Sequence, residues 1–260
     1  MIGFFIFNGV NSRDHGIYIE SYPQSCHAPR RGTLYEIAGR NGSGVDEDGT
    51  YSTYTQPYNI NLREGAARRA DLRSSDLAQW LTGEPGFLRL EDSFEPEYFR
   101  MARFAGPVTI DQILGRWGRA RIEFECQPER YLVSGENLHN LRTSDTITNP
   151  TGRTALPLLR ITGSGTVYVT VANNGETLCE IMCNLGTGRT VELDSAGYTA
   201  QITAGQQSDQ GNNASGLISW TAGPSDYHLF PELRKGATTI TTSGTGTVTA
   251  LEIIPRWWTL

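Results

Sequence analysis

Residues 121–126 read Arg-Ile-Glu-Phe-Glu-Cys, and charged and apolar side chains alternate along the whole stretch. A period of two places the apolar residues on one face of a β-strand and the charged residues on the other. The same alternation occurs over shorter lengths in residues 59–63 and 87–91. The first half of the chain is therefore predicted to form an antiparallel sheet with one face on a core and the other towards water or a neighbouring molecule.

One helix is expected between these strands. Leu77, Trp80 and Leu81 have the i, i+3, i+4 spacing of an apolar helical stripe. Ser74 or Ser75 is positioned to cap its first turn, and a glycine and a proline follow its last turn. We predict a short amphipathic helix that lies against the sheet.

The segment from Ala38 to Tyr58 has few aliphatic residues and cannot build a core of its own. Asp48-Gly49 is a hairpin-turn signal, which predicts an extended β-arm at about residues 38–58. We expect the aromatic residues of this arm to be covered from outside the domain, and a neighbouring subunit is the natural candidate. The candidate assembly residues are Gly39, Arg40, Asn41, Gly42, Tyr51, Tyr54 and Tyr58.

The composition changes near Val133 from charged and aromatic to rich in Thr, Gly and Asn. Short runs with strand character then follow one another, separated by turns such as Gly163-Ser-Gly165, Asn173-Asn-Gly175 and Gly186-Thr-Gly188. Such spacing is typical of a β-sandwich of the jelly-roll or lectin-like kind. We predict two domains, residues 1–133 and residues 134–260, in a mostly β protein. Its fold class is two β-sandwich-like domains, with the helix and the arm in the first.

The charge and hydropathy of the chain argue against several classes of function. The formal net charge of −6 does not favour a protein that grips nucleic acid through phosphates. No stretch approaches the roughly 20 apolar residues of a membrane helix, and the start of the chain lacks the basic region of an export signal. We expect no specific nucleic-acid binding and no membrane insertion. Cys179 and Cys183 alternate with Ile181, which indicates buried thiols in a reducing compartment.

Motifs for catalysis or metal binding are missing from the sequence. The four histidines are scattered without a metal-binding spacing, and no nucleophile elbow or phosphate-binding loop occurs. Asp46, Glu47 and Asp48 lack the alternating ligands of a calcium loop, so a solvated hairpin is the preferred interpretation. We expect no catalytic residue, no cofactor and no metal, and hence not an enzyme.

Several aromatic residues of the second half suggest an alternative function. Trp220, Tyr227 and Trp258 are candidates for stacking against sugar rings, as in lectin-like sandwiches. Packing in the core is the favoured interpretation for at least half of the set Trp220, Tyr227, Trp257 and Trp258. The alternative function is therefore a carbohydrate-binding, host-recognition protein that acts through the second sandwich.

Short motifs recur in a fixed order and spacing over the whole chain. The motifs of the first half are Phe7-Asn-Gly9, Glu36-Ile-Ala-Gly-Arg-Asn-Gly42, Leu77, Trp80, Leu81, Asp92, Tyr98, Ala102, Ile122 to Cys126, Pro128 and Tyr131. Those of the second half are Asn149-Pro150, Ala155-Leu-Pro157, Ile161, Gly163, Phe230-Pro-Glu-Leu233, Gly236 and Ile254 to Trp257. In order and spacing they resemble the distal tail proteins of phages with long, non-contractile tails. Two departures from the family pattern, at Glu129-Arg130 and Gly236-Ala-Thr, affect turns only.

The resemblance implies a siphophage virion protein of the baseplate or tail tip. Its first domain would form a hexameric ring at the distal end of the tail tube and leave a channel for DNA. Its second domain would be galectin-like and project outwards. The implied partners are other copies of the chain, the tail tube protein, the tail-tip hub protein, the tape-measure protein and receptor-binding proteins. The implied locations are the phage tail tip in the virion and the host cytoplasm during assembly, with a role in host adsorption.

Overall fold

A computed structural model describes residues 3–63, 70–106, 110–113, 117–205, 213–222 and 230–260. Antiparallel strands dominate it, and the predicted mostly β fold class is confirmed. The chain divides into two compact units, Met1–Arg130 with Leu260 and Tyr131–Thr259. The boundary predicted from composition lies between residues 133 and 134, and the ring-forming and galectin-like roles of the two halves remain predictions.

The first unit contains one α-helix and one short 3-10 helix, Ser12–His15, among its described residues, together with a long curled sheet and a separate hairpin. Its elements are β1 Phe5–Phe7, β2 Val10–Asn11, β3 Ile17–Ile19, β4 Arg30–Glu36, β5 Ser43–Tyr51, β6 Tyr54–Arg63, α1 Ala70–Thr82, β7 Leu88–Asp92, β8 Tyr98–Phe104, β9 Ile110–Ile113 and β10 Trp117–Leu132.

The long sheet curls until its two ends meet. Its order is β2-β1-β7-β8-β10-β6-β3, and β9 also pairs with β10. At the ends, Gly3 and Ile19 exchange two backbone hydrogen bonds, with N···O distances of 3.3 and 2.9 Å. Ser12 supports this closure, because its hydroxyl accepts from the N–H of Phe5 and donates to the carbonyl of Ile17. The curled sheet therefore has an enclosed face, which holds the core of the unit.

The alternation in residues 121–126 determines which side chains enter this core. Ile122, Phe124 and Cys126 are buried, whereas Arg121 is exposed on the opposite face. Phe124 meets Phe5 edge-on, with ring centroids 5.5 Å apart. The aromatic core is thus built from strands that are distant in sequence.

The helix closes the core with the predicted apolar stripe. Leu77 and Leu81 are buried, and the ring of Trp80 stacks on that of Phe5 with centroids 5.8 Å apart. The predicted start was wrong, since α1 begins at Ala70 and Ser74 therefore lies inside it. Ala, Leu and Arg in the preceding turn are strong helix formers, which allows the helix to start earlier than the serines suggested.

A buried arginine joins three strands of the curled sheet. Arg100 on β8 donates to the hydroxyl of Tyr54 on β6 at 3.1 Å and to Asp92 at the end of β7 at 3.2 Å. A third hydrogen bond runs to the carboxylate of Glu95. Burial alone would lower the pKa of Arg100, but the surrounding tyrosine and carboxylate oxygens raise it. The guanidinium is therefore held as a cation inside the protein.

The acidic side chains of this network are also fully engaged. The Asp92 carboxylate accepts from the hydroxyl of Tyr58 at 3.0 Å and from the N–H groups of Phe94 and Glu95 at 2.9 and 3.0 Å. Arg130 on β10 pairs with Glu95 at 2.8 Å. The network thus connects the four adjacent strands β7, β8, β10 and β6 by side chains as well as by the backbone.

The second unit is a sandwich of two five-stranded sheets. One sheet has the order β11-β20-β13-β16-β17 and the other β12-β19-β14-β15-β18. The strands of the two sheets are β11 His139–Leu141, β12 Ser144–Asn149, β13 Leu158–Ser164, β14 Thr166–Asn173, β15 Glu176–Asn184, β16 Arg189–Asp194, β17 Thr199–Ala204, β18 Ile218–Ala222, β19 Gly236–Gly244 and β20 Thr247–Ile254. A last short strand, β21 Trp258–Thr259, pairs with β10 instead.

The core of the sandwich lies between the two sheets and includes the predicted thiols. Cys179 and Cys183 are buried on β15, on either side of the buried Ile181. Burial raises the pKa of each thiol to about 12. These cysteines act as small apolar core residues, as the alternation of β15 indicates.

Removing the buried cation is expected to destabilise the first unit strongly. Arg100→Met leaves Asp92 buried without its charged partner, and breaking a buried pair in this way costs about 3–5 kcal/mol of unfolding free energy. Arg121→Met breaks an exposed pair with Glu123 at 2.9 Å and is expected to cost about 1 kcal/mol or less. Urea unfolding followed by circular dichroism measures both. Equal effects of the two substitutions would show that the buried network is not a source of stability.

The buried thiols are expected to make the protein less stable at alkaline pH. Burial raises the pKa of Cys126 to about 12 from an ordinary 9.0, as it does for the two thiols of β15. Folding therefore favours the protonated thiols. The resulting contribution to the free energy of unfolding is complete below pH 9.0 and is lost as the pH rises towards 12.

The burial of the thiols also determines which of them reacts first. At neutral pH we expect a thiol reagent to label Cys26 first, because it is only half-buried. Equally rapid labelling of Cys179, seen by peptide mass mapping, would contradict the packing of β15.

Candidate functional site

The hairpin formed by β4 and β5 is a two-stranded sheet separate from the curled sheet. Its ends lie close together, since the N–H of Ser52 donates to the carbonyl of Pro29 at 2.9 Å. Every residue of β4 is exposed. A two-stranded hairpin is at best marginally stable by itself in water, so its apolar residues are candidates for contact with another molecule.

Apolar side chains lie on both faces of the hairpin. Leu34 and Val45 are directly opposite each other and share one face. Leu34 is 70% exposed and Val45 is 54% exposed. Tyr35 lies on the other face over Gly44 and is 50% exposed. The Leu34–Val45 pair stands between Glu36 near the turn and the Arg30–Glu47 ion pair at 3.2 Å near the base. This arrangement, an apolar centre with a charged rim, is common in protein interfaces.

The turn of the hairpin lies between Ile37 and Gly42, and the predicted residues Gly39 to Gly42 are in it. Gly39 and Gly42 have φ angles of 78° and 86°, which glycine adopts without strain. The N–H of Arg40 donates to the carbonyl of Ile37 at 3.1 Å, while the Arg40 and Asn41 side chains are exposed. These candidates therefore form the tip of the arm.

The prediction of a turn at Asp48-Gly49 was wrong. These residues lie within β5, where the register shifts opposite Arg30 and Gly32. The Asp48 carboxylate accepts from both the hydroxyl and the N–H of Thr50, and these hydrogen bonds lower its pKa. An Asp-Gly pair suits a β-bulge as well as a turn, because both need a residue with positive φ. The arm accordingly spans residues 30–51 instead of 38–58.

Three tyrosines were expected to be covered from outside the domain, and for two of them the structure shows otherwise. Tyr54 and Tyr58 lie on β6 with their rings in the core and their hydroxyls in the buried network. Burial raises the pKa of Tyr54 to about 12. Tyr51 ends β5, half-buried, with the Arg30 guanidinium 5.8 Å from its ring centre. Tyr54 and Tyr58 thus anchor the base of the arm and are not part of its exposed surface.

Trp220 and Trp258, the two candidate sugar-stacking residues that the structure describes, are each held by contacts within the sandwich. Trp220 is half-buried against the sandwich core and meets Phe230 with ring centroids 5.9 Å apart. The Trp258 ring is fixed at one edge, because its N–H donates to the carbonyl of Thr154 at 2.8 Å. Tyr227 lies outside the described residues. The sugar-binding alternative therefore gains no support from these side chains.

A groove at the open edge of the sandwich was not anticipated from the sequence. β11 pairs with only the end of β20 and stops at Leu141, opposite Leu251. Among the described residues, no strand pairs with residues 247–250 of β20 on that side. A cavity of about 270 Å³ opens there, lined by the half-buried Leu141 and Val248 and by the exposed Arg142. No sequence pattern predicts this groove, because it is defined by the point at which β11 stops pairing with β20.

The described residues contain neither a metal cluster nor a membrane-spanning helix. No group of three or more His, Cys, Asp or Glu side chains is placed to hold a metal ion there. No helix in this part of the chain is long and apolar enough to cross a membrane.

Comparisons with known proteins identify the fold. No protein-family model matches the chain, and none of the curated proteins is similar in sequence. Among solved structures, the chain is similar to the SPP1 Dit (gp 19.1) protein, described as a paradigm of the hub adsorption apparatus in phages that infect Gram-positive bacteria. The match has a TM-score of 0.71 and 13% sequence identity and covers 100% of each chain. The fold implied by the resemblance to distal tail proteins is confirmed.

Excision of the hairpin is expected to leave the first unit folded. Replacing residues 31–50 by a short Gly-Ser link removes no side chain of the core, so unfolding free energy changes by about 0.5 kcal/mol or less, as for surface changes. Tyr58→Ala, at the buried base, is expected to cost about 3–5 kcal/mol, as for other large aromatic residues in cores. Thermal unfolding monitored by near-ultraviolet circular dichroism distinguishes the two. Loss of the folded signal on excision would place the hairpin in the core.

Proposed function

We propose that the chain is a structural protein of the phage tail tip that assembles into a hexameric ring at the distal end of the tail tube. It joins the tube to the adsorption apparatus and leaves a channel for DNA. The exposed hairpin, on a chain with the fold of a phage hub adsorption protein, is the observation that carries this proposal. The ring belongs to the virion and is assembled in the host cytoplasm.

The hairpin supplies the physical reason for assembly. Its Leu34–Val45 pair and Tyr35 expose apolar surface that gains free energy when another subunit covers it. In a closed ring each subunit offers one surface and receives a different one, so one arm per subunit is sufficient. Gly39 and Gly42 allow the tight turn, and Arg40 at the tip is available to a carboxylate of the neighbour.

The remaining partners follow from the position in the tail. A ring at the end of the tube contacts the tail tube protein on one side and the tail-tip hub protein on the other. The tape-measure protein lies in the channel, and receptor-binding proteins attach around the ring. A net charge of −6 suits a channel that DNA passes without sticking. None of these contacts requires catalysis, and the protein is proposed to work mechanically.

Polar substitution of the exposed apolar pair is expected to weaken the ring without unfolding the subunit. Burying one such side chain contributes about 1.5–3 kcal/mol, so Leu34→Ser with Val45→Ser lowers the stability of each subunit contact by at least about 2 kcal/mol. Leu138→Ser is the matched control, because Leu138 is 46% exposed outside the hairpin.

Electron microscopy and native mass spectrometry, with and without the tube or hub protein, measure the fraction of subunits in rings. The unmodified chain and the Leu138→Ser control are expected to form rings, and the double variant to remain mostly unassembled. An unmodified protein that stays monomeric in both conditions would overturn the proposed function.

A further inference from the structure

Three asparagines of the chain are each followed by a glycine in a turn, namely Asn8, Asn41 and Asn174. Such a pair can react with itself. The glycine backbone nitrogen attacks the side-chain carbonyl carbon of the asparagine, the bond from that carbon to the amide nitrogen breaks, and ammonia leaves with the proton of the glycine nitrogen. Water then opens the resulting cyclic imide to an aspartate or an isoaspartate.

The glycine of each pair leaves its nitrogen open to this attack, because glycine has no Cβ. In the described part of the chain, a Cβ added at Gly9, Gly42 or Gly175 would meet no atom within 4 Å beyond the adjacent residues. The three glycines are therefore equivalent in steric terms. What differs between the pairs is how firmly the asparagine is held, since its backbone and side chain must rotate to reach the nitrogen.

Asn8 is held by its side chain and by its backbone. Its amide donates a hydrogen bond to the Glu84 carboxylate at 2.8 Å, and its N–H donates to the carbonyl of Arg89 at 2.9 Å. A hydrogen bond to a charged group is stronger than one between neutral groups. Cyclisation would have to break the bond to Glu84, because the same amide is the group that reacts.

Asn174 is held by the sandwich. Asn174 and Gly175 form a two-residue turn with φ angles of 51° and 84°, and the flanking residues Asn173 and Glu176 are paired. Positive φ at both central residues is the geometry of a tight hairpin turn. The turn joins β14 and β15, which are both inner strands of a five-stranded sheet. Opening it would disturb pairing on both sides.

Asn41 has neither restraint. Its side chain is exposed and makes no hydrogen bond within the described residues. The turn from Ile37 to Gly42 is longer, and it joins β4 and β5, which pair only with each other in the described structure. A two-stranded hairpin is marginally stable in water, so its turn opens locally at a low cost in free energy.

We propose that Asn41-Gly42 is a site of spontaneous deamidation in the folded protein, with water as its one co-reactant. The reaction places a carboxylate beside Arg40 at the tip of the arm and makes the chain more negative by one charge. In the isoaspartate product the backbone is also longer by one carbon, which changes the turn. This inference goes beyond the proposed function and does not depend on a ring.

Peptide mass mapping tests the site with the other two pairs as internal controls. The dilute chain is incubated without tail partners at mildly alkaline pH and then digested in water enriched in heavy oxygen, which marks any deamidation that occurs during digestion. Asn41 is expected to react at least about tenfold faster than Asn8 or Asn174, which corresponds to roughly 1.4 kcal/mol of activation free energy.

The same incubation in guanidinium chloride separates the effect of the fold from that of the sequence. Once the chain is unfolded, the three pairs are expected to react at similar rates. Equal rates in the folded chain, or protection of Asn41 there, would overturn the inference. So would a preference for Asn41 that persists in guanidinium chloride, because it would then come from the local sequence.

Ion-exchange chromatography of the intact chain gives an independent readout. The unmodified chain is expected to accumulate a more acidic form on incubation, and Asn41→Gln is expected to abolish it, because the longer side chain cyclises much more slowly. Asn137→Gln is the matched control, since Asn137 is exposed and is followed by leucine. An acidic form that accumulates equally in both variants would place the reaction elsewhere and contradict the proposal.

Discussion

The buried cation Arg100 is the constraint on which the first unit depends. It lies in an aromatic core where an unpaired charge would be costly, so Asp92, Glu95 and Tyr54 must all be in place around it. These partners come from different strands, and the network therefore fixes how β6, β7 and β8 are placed relative to one another. It also fixes the base of the hairpin, because Tyr54 follows the end of β5 by only three residues. The exposed arm thus starts from one of the most constrained positions in the unit.

Much of this fold could be predicted because local patterns and tertiary structure agree. The alternation at residues 121–126 and the stripe at Leu77, Trp80 and Leu81 both give the buried face correctly. In the second unit, each run with strand character between Leu158 and Pro255 corresponds to a strand of the sandwich. Such patterns are reliable where one face of an element is buried, since a shift of one residue would turn every apolar side chain to water.

The bounds and the buried base of the arm could not be predicted from local sequence patterns. Tyrosine is compatible with a core, an interface or a surface, and the sequence does not contain the distant Arg100 and Asp92 that draw Tyr54 and Tyr58 inwards. Asp48-Gly49 is equally suited to a turn and to a bulge, and only the pairing of β5 with β4 decides between them. The open edge of β20 is less visible still, because an absent partner strand leaves no mark in the residues of the edge itself. Candidate sites made by long-range pairing, or by its absence, therefore require the structure.

An exposed hairpin and an exposed sheet edge would each be a hazard in a protein that had no use for them. Free backbone groups next to apolar side chains invite indiscriminate pairing, and natural proteins usually protect such edges with charge or with short strands. Within the described residues, β20 lacks a partner strand beyond the end of β11 over only four residues, and β5 carries the run Asp46-Glu47-Asp48 beside its one exposed valine. Both features disfavour random association. The charge on the arm and the short length of the open edge therefore allow both surfaces to stay exposed without promoting aggregation.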